Sequence, residues 1–374
     1  MTRVLIGDLF ASKAQTLVNT VNCVGVMGKG VALEFKNRFP DMYDDYVRRC
    51  KAGKVRLGQP YLFPRVTPPW ILNFPTKDHW RSVARLQDIV QGLQYVEQHY
   101  REWEITSLAV PPLGCGQGQL EWRVVGPTLY RHLQRLGVPV ELYAPLGTPH
   151  EELQPTFLDQ SAQPVAAGGS PVPYRIEPAW IAVVEILDRL EREPYHWPVG
   201  RVTFQKIAYF ATESGIPTGL QYRRGSFGPF APDLKRRTTS LVNNGLICEE
   251  QLGRMFAVKV GPTYADAQRA YREQIEHWSP EIEKIADLFM RLNTHQAEVA
   301  ATVHFASREL ARHAAEPPTE SAILREVLNW KQKRRPPLES KEVALTIRSL
   351  NMLSWLDAKV SDDLPISDEE VLSV

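Results

Sequence analysis

Cysteine is scarce: Cys23, Cys50, Cys115 and Cys248 are the only four in 374 residues, and no two form a C-x-x-C pair. That spacing argues against a disulfide framework and the common zinc patterns, so no metal is expected. It fits reduced thiols in a cytoplasm. No apolar run approaches the roughly 18 residues of a membrane helix. Met1-Thr2-Arg3 leads straight into a strand-like stretch, without a signal-peptide pattern. There is no internal repeat. Neither sign of charge dominates, with 44 Lys and Arg against 43 Asp and Glu, so the whole chain is not a polyanion binder by composition alone.

Within that balance the halves differ. Residues 1–150 carry 18 basic and 12 acidic side chains, and residues 151–374 carry 26 and 31. Ordinary variation between domains explains this. So does a first half that tolerates a polyanion and a second half that imitates one. The length suits two domains, and 43% hydrophobic residues are ample for two cores.

Strand and helix patterns alternate through the first half, as in a layered α/β fold. Leu86, Ile89, Val90, Leu93, Val96 and Tyr100 share one helical face, and Val125, Leu129, Leu133 and Leu136 share another. Strands are expected at 3–8, ending in Gly7-Asp8, and at 17–18, 71–74, 107–110 and 140–143. The stretch Asn19-Thr20-Val21-Asn22-Cys23-Val24-Gly25-Val26-Met27-Gly28-Lys29-Gly30-Val31-Ala32 carries a strand into a glycine loop and then a helix. Such a turn lets backbone N–H groups and a helix N-terminus close on phosphate oxygens. Its glycines have neither the Walker nor the G-x-G-x-x-G spacing. A second glycine loop, Gly114-Cys115-Gly116-Gln117-Gly118, again lies between a strand and a helix.

With the opening Gly7-Asp8-Leu9 and the segment Asn73-Phe74-Pro75-Thr76-Lys77-Asp78-His79-Trp80, these loops resemble the macrodomains, the ADP-ribose-binding fold. They are most similar to the subgroup of the terminal ADP-ribose protein glycohydrolase and the DNA ADP-ribosyl glycohydrolase antitoxins of DarT–DarG systems. The resemblance covers about residues 1–147 and implies a three-layer α/β/α fold with a mixed sheet. It implies that Asp8 accepts from the adenine amino group, with the Leu9 N–H nearby, and that Asn22 holds the distal ribose. Gly25 to Leu33 and Gly114 to Gly118 would wrap the diphosphate. The implied ADP-ribose lining is thus Asp8, Leu9, Thr20, Val21, Asn22, Gly25, Val26, Met27, Gly28, Gly30, Val31, Ala32, Leu33, Glu34, Thr76, Gly114, Cys115, Gly116, Gln117 and Gly118. Lys77 matches the nucleophilic lysine of the glycohydrolases. The protein-directed relative has an aspartate where Gly118 stands, so the resemblance favours the DNA-directed branch, with thymine as the implied base. Asp78, His79 and water are then the candidates for moving protons. No cofactor is implied beyond ADP-ribose itself, as substrate moiety or product.

Pro155, Pro164, Pro171, Pro173 and Pro178 with Gly168-Gly169 mark residues 148–178 as a linker between domains at 1–147 and 179–374. The second half reads as mainly α-helical with a small β-hairpin around Gly253, winged-helix-like in its order, with Lys235-Arg236-Arg237 on a candidate recognition helix. Residues 357–374 read as a frayed acidic end. Phe204-Gln205-Lys206-Ile207-Ala208-Tyr209-Phe210 and Phe227-Gly228-Pro229-Phe230 loosely resemble the antitoxin modules of DarG-type proteins. The expected function is an antitoxin that removes ADP-ribose from DNA and captures a DarT-type DNA ADP-ribosyltransferase. The competing reading is a non-catalytic ADP-ribose reader fused to a winged-helix regulator.

Overall fold

A computed structural model describes residues 2–159, 176–252, 255–312 and 316–366, which group into two compact units. The first unit holds the chain up to Ile181 together with Thr238–Cys248 and Val260–His277. Its strands are β1 (Thr2–Leu5), β2 (Thr16–Asn22), β3 (Tyr61–Phe63), β4 (Trp70–Lys77), β5 (Leu108–Val110) and β6 (Val140–Tyr143). They form one sheet in the order β1-β6-β5-β2-β4-β3, parallel except for β3, which runs antiparallel to β4. Helices α1 (Gly30–Arg38), α2 (Pro40–Lys51), α3 (Leu86–His99) and α4 (Trp122–Gln134) fill the crossovers. Pro40 opens α2 at its first position, where a missing N–H costs nothing. The mixed sheet with helical crossovers is the fold implied for the first half.

Two strands run longer than the apolar pattern indicates. β2 continues to Asn22 and β4 to Lys77, and the buried amides inside them share one hydrogen bond while Asn19 Oδ1 and Asn73 Nδ2 stay without a partner. Asn19 and Asn73 face each other across β2 and β4, fully buried, and Asn19 Nδ2 donates to Asn73 Oδ1 at 2.9 Å. A one-residue slip would bury each amide unpaired and turn every side chain to the other face.

Of the span read as linker, residues 150–158 are helical turns, including α5 (Pro155–Leu158), and residues 160–175 lie outside the described residues. Leu158 is fully buried, and buried Glu152 lies 3.5 Å from the Arg123 guanidinium on α4. Burial pushes the Glu152 carboxyl up to about 7 despite that arginine. Later chain also packs in this unit, including α9 (Tyr264–Ala270) and α10 (Arg272–Glu276). Arg123 donates to Ala270 O and covers the Tyr271 ring, while Arg131 Nη2 lies 2.9 Å from buried Asp266.

The second unit is mostly helical: the rest of α6 (Pro178–Arg192), then α7 (Arg201–Glu213), α11 (Ser279–Met290), α12 (Thr294–Arg312), α13 (Glu320–Trp330) and α14 (Ser340–Met352). Helix α8 (Leu234–Asn243) is followed by paired strands β9 (Ile247–Leu252) and β10 (Met255–Val260). The expected hairpin tip at Gly253 lies outside the described residues. The Gly225–Pro232 turn is itself a hairpin, β7 (Arg223–Gly225) with β8 (Gly228–Phe230). Here the two motif pieces meet: Lys206 Nζ donates to Phe227 O at 2.7 Å and Pro229 O at 3.2 Å. Burial lowers Lys206 to about 8, with Glu298 opposing the shift. Residues 357–361 are not frayed. They satisfy fully buried Glu320, to which the Ser361 N–H donates at 3.0 Å alongside Arg348.

Asn73→Ala leaves Asn19 buried without its partner and should lower stability by about 2 kcal/mol, read from the urea midpoint. A change below about 0.5 kcal/mol would mean the pair does not hold the register.

Candidate active site

β2 and β4 end side by side, with Val21 opposite Pro75 and Asn22 opposite Lys77, so Thr76 is one residue too many on β4. Pro75 has no N–H for the ladder, which favours an irregularity there, and a bulge re-aims the next side chain. Thr76 is buried, its hydroxyl donating to Val21 O at 3.5 Å. Lys77 is half-buried at the strand end, and its Nζ donates to Gln117 O in the second glycine loop at 3.0 Å. Burial lowers its pKa below the ordinary lysine value of 10.5.

The first loop is closed by Asn22. Its Oδ1 accepts from Val24 N (3.0 Å) and Val26 N (3.4 Å), and its Nδ2 donates to Val26 O (2.6 Å). Tyr46, fully buried on α2, donates to Asn22 O at 2.8 Å and lies 3.0 Å from Oδ1. Asn22 thus shapes the loop with both ends of its amide. Thr20 and Val21 precede it on β2, and Met27 is buried beneath. Gly25 is half-buried, while Val26, Gly28 and Gly30 are exposed. Helix α1 begins at Gly30 without a side-chain cap, so its first N–H groups are open to an anion. Val31 and Ala32 are half-buried and Leu33 exposed. Glu34 is engaged elsewhere, at 2.6 Å from Arg38. Asp8 is exposed beyond β1, which two strands separate from β2; its Oδ1 accepts from Phe10 N at 2.9 Å, and Leu9 is buried. The Phe10 ring packs tilted against Phe35 of α1, centroids 4.8 Å apart, which ties the Asp8 turn to the first loop's helix.

The second loop is wound tightly. Leu120 N donates to Gly114 O at 3.0 Å and Ala84 N to Gly118 O at 2.9 Å. A Cβ on Gly118 would lie 2.4 Å from Gly114 O and 2.8 Å from Ala84 Cβ, so no aspartate fits there without opening the loop. Gly116 differs: a Cβ there meets nothing within 4 Å. Gly116 and Gln117 are exposed and Cys115 is buried, its Sγ 3.7 Å from Leu113 O. The loop's root is held from afar. Glu121 N donates to the buried Asn244 Oδ1 at 2.7 Å.

Cysteine nucleophiles are disfavoured here, since burial, aided by Cys50 and Asp78, pushes the Cys23 thiol up to about 11. Asp78 is held below the usual carboxylate range by Ser82 and by the His79 N–H at 2.7 Å, so it stays ionised. His79 Nδ1 accepts from Arg81 N at 3.2 Å, which puts the proton of the neutral ring on Nε2. Among the described residues no group of three or more His, Cys, Asp or Glu could hold a metal, and no helix is long and apolar enough to cross a membrane.

Sequence reasoning missed Tyr46, Asn244 and the Asn19–Asn73 pair. The asparagines inside apolar strands were a visible signal. Tyr46 and Asn244 carry none, because their partners are set by the fold.

The macro domain family model matches residues 18–129. A DNA ADP-ribosyl glycohydrolase of Thermus aquaticus is 32% identical over 313 residues, 82% of this chain and 83% of that protein. A DNA ADP-ribosyl transferase-DNA ADP-ribosyl glycohydrolase fusion protein of Thermosipho africanus is 41% identical over 172 residues, 41% of this chain and 44% of its own length. Among solved structures, the macrodomain of Mycobacterium tuberculosis DarG is 44% identical, covering 39% of this chain and 98% of that one, with a TM-score of 0.38. On the identity and reach of the Thermus relative, this chain belongs to the DNA ADP-ribosyl glycohydrolase family.

Proposed function

We propose that the first unit cleaves the N-glycosidic bond between ADP-ribose and a DNA base, thymine by the family resemblance, with Lys77 as nucleophile. The observation that carries this is a partly desolvated lysine fixed between two glycine loops, its Nζ 3.0 Å from Gln117 O. Desolvation raises the fraction of neutral amine able to attack. Nζ bonds to the anomeric carbon of the distal ribose as that carbon's bond to the base nitrogen breaks. The base leaves as an anion and takes a proton, and the amine gives one up. Water then attacks the same carbon, freeing ADP-ribose and restoring the lysine. A thymine anion delocalises its charge over two ring carbonyls and needs less acid help than an alkoxide. That suits a second loop with no room for a carboxylate at Gly118.

ADP-ribose would lie with its diphosphate between the open N-terminus of α1 and the second loop, its distal ribose over Asn22 and its adenine toward Asp8. The helical half would capture a DNA ADP-ribosyltransferase. Supporting this are the fusion of the two activities in the Thermosipho relative, the Lys206-held hairpin with Phe227 exposed, and the acidic balance of residues 151–374. Competition with duplex DNA for the transferase tests it. Displacement weakened by salt supports capture by mimicry, and binding to duplex alone favours the regulator reading.

Lys77→Ala should abolish release of ADP-ribose from modified DNA while calorimetry shows ADP-ribose bound within a few-fold of the unaltered protein. Turnover by the variant would rule the lysine out. Because the neutral amine attacks, kcat should rise with pH through the Lys77 pKa, with a midpoint below 10.5. A flat profile would place the limiting step elsewhere. Gly116→Val should fold normally, since its Cβ points into open space, yet bind ADP-ribose at least tenfold more weakly if the loop lines the diphosphate. Unchanged affinity would make that loop a plain turn.

A further inference from the structure

Residues 78–85 form a strap that the function above leaves unused. Its first residue is tied to the first glycine loop, Cys23 N donating to Asp78 O at 3.1 Å. Its far end is tied to the second, Ala84 N donating to Gly118 O at 2.9 Å. The strap therefore spans the two loops that flank Lys77, directly after that lysine in the chain.

At its middle stands Trp80, 48% exposed, an unusual place to leave an indole in water. The Arg81 guanidinium lies 4.6 Å from its ring centre and the His79 ring 5.4 Å away. Asp78 N-terminally and the turn closed by Ser82 N to His79 O (3.0 Å) hold this geometry without help from the core. Arg81 and Arg85 are both exposed, and among the described residues neither enters an ion pair. Burial pushes the carboxyl of Asp88, one turn beyond Arg85, upward while Arg85 opposes that shift, so Asp88 offsets part of the arginine's charge. An exposed aromatic flanked by unpaired arginines is the composition of a single-strand platform: a base stacks on the ring while guanidinium groups meet phosphates. Solvation of a bare loop needs no tryptophan, and a protein substrate gives no periodic phosphates for the arginines.

Resting on the DNA reading above, we propose that the strap is a nucleotide subsite. Trp80 stacks on a base adjoining the modified nucleotide, and Arg81 and Arg85 contact the neighbouring phosphates. The site thereby distinguishes a DNA strand from an isolated ADP-ribosylated nucleoside, by contacts separate from those that hold ADP-ribose.

The test compares release of ADP-ribose from a modified single-stranded oligonucleotide with release from the same modified nucleoside, using the full-length protein. For Trp80→Ala, the oligonucleotide-to-nucleoside ratio of kcat/KM should fall about tenfold, mainly through KM, and Trp80→Phe should restore most of it. Arg81→Gln should lower the slope of log KM against log salt by about one on the oligonucleotide. Equal losses on both substrates would make Trp80 structural, and an unchanged ratio would refute the platform while leaving the glycohydrolase reading intact. If the unaltered protein releases nothing from either substrate, both proposals fall.

Discussion

The Asn19–Asn73 hydrogen bond is the constraint on which the site depends. Two amides buried in the centre of a parallel sheet lose least by facing each other, where they share one hydrogen bond at 2.9 Å and leave Asn19 Oδ1 and Asn73 Nδ2 unpartnered. With that register set, β2 and β4 must end together. The added residue at Thr76 then presents Lys77 opposite Asn22 rather than one position away. Loop shape follows from the strand ends: Asn22 and Tyr46 close the first loop, and Lys77 reaches across to the second.

The second loop shows how a backbone decides chemistry. Close approach of Gly118 to the Gly114 carbonyl leaves no room for a side chain, so the carboxylate of the protein-directed branch has no place here. The proposed reaction accordingly relies on a leaving group that stabilises its own charge. The loop's root is held by Asn244, and α4 just beyond it is gripped through Arg123 and Arg131 by residues past 260. Sequence that lies far beyond Lys77 is therefore part of the same compact unit as that lysine.

The layered α/β order, both glycine loops and the faces of α3 and α4 were legible because apolar periodicity and glycine spacing are local signals. The strand ends were not. Asn19, Asn22 and Thr76 read as loop residues until their cross-strand partners are known, which shortened β2 and β4 on paper. Lys77 was singled out only through family resemblance, since an isolated lysine after Pro-Thr carries no chemistry of its own. The ordering of residues 150–158 and 357–361 was invisible for the same reason. Glu152 and Glu320 look like surface carboxylates in one dimension, and their arginine partners lie 29 and 28 residues away. Lys206 was noticed as part of a motif, but its role in gripping the Phe227 hairpin emerges only from the packing of α7 against the turn.

Chemical trapping tests the central claim most directly. An amine attack on the anomeric carbon gives a lysyl–sugar adduct in equilibrium with an open-chain imine, which cyanoborohydride reduces to a stable secondary amine. Turnover of ADP-ribosylated DNA in its presence, followed by peptide mass spectrometry, should place an ADP-ribose adduct on Lys77 and on no other lysine. Full turnover with no adduct, or an adduct on another residue, would contradict the account.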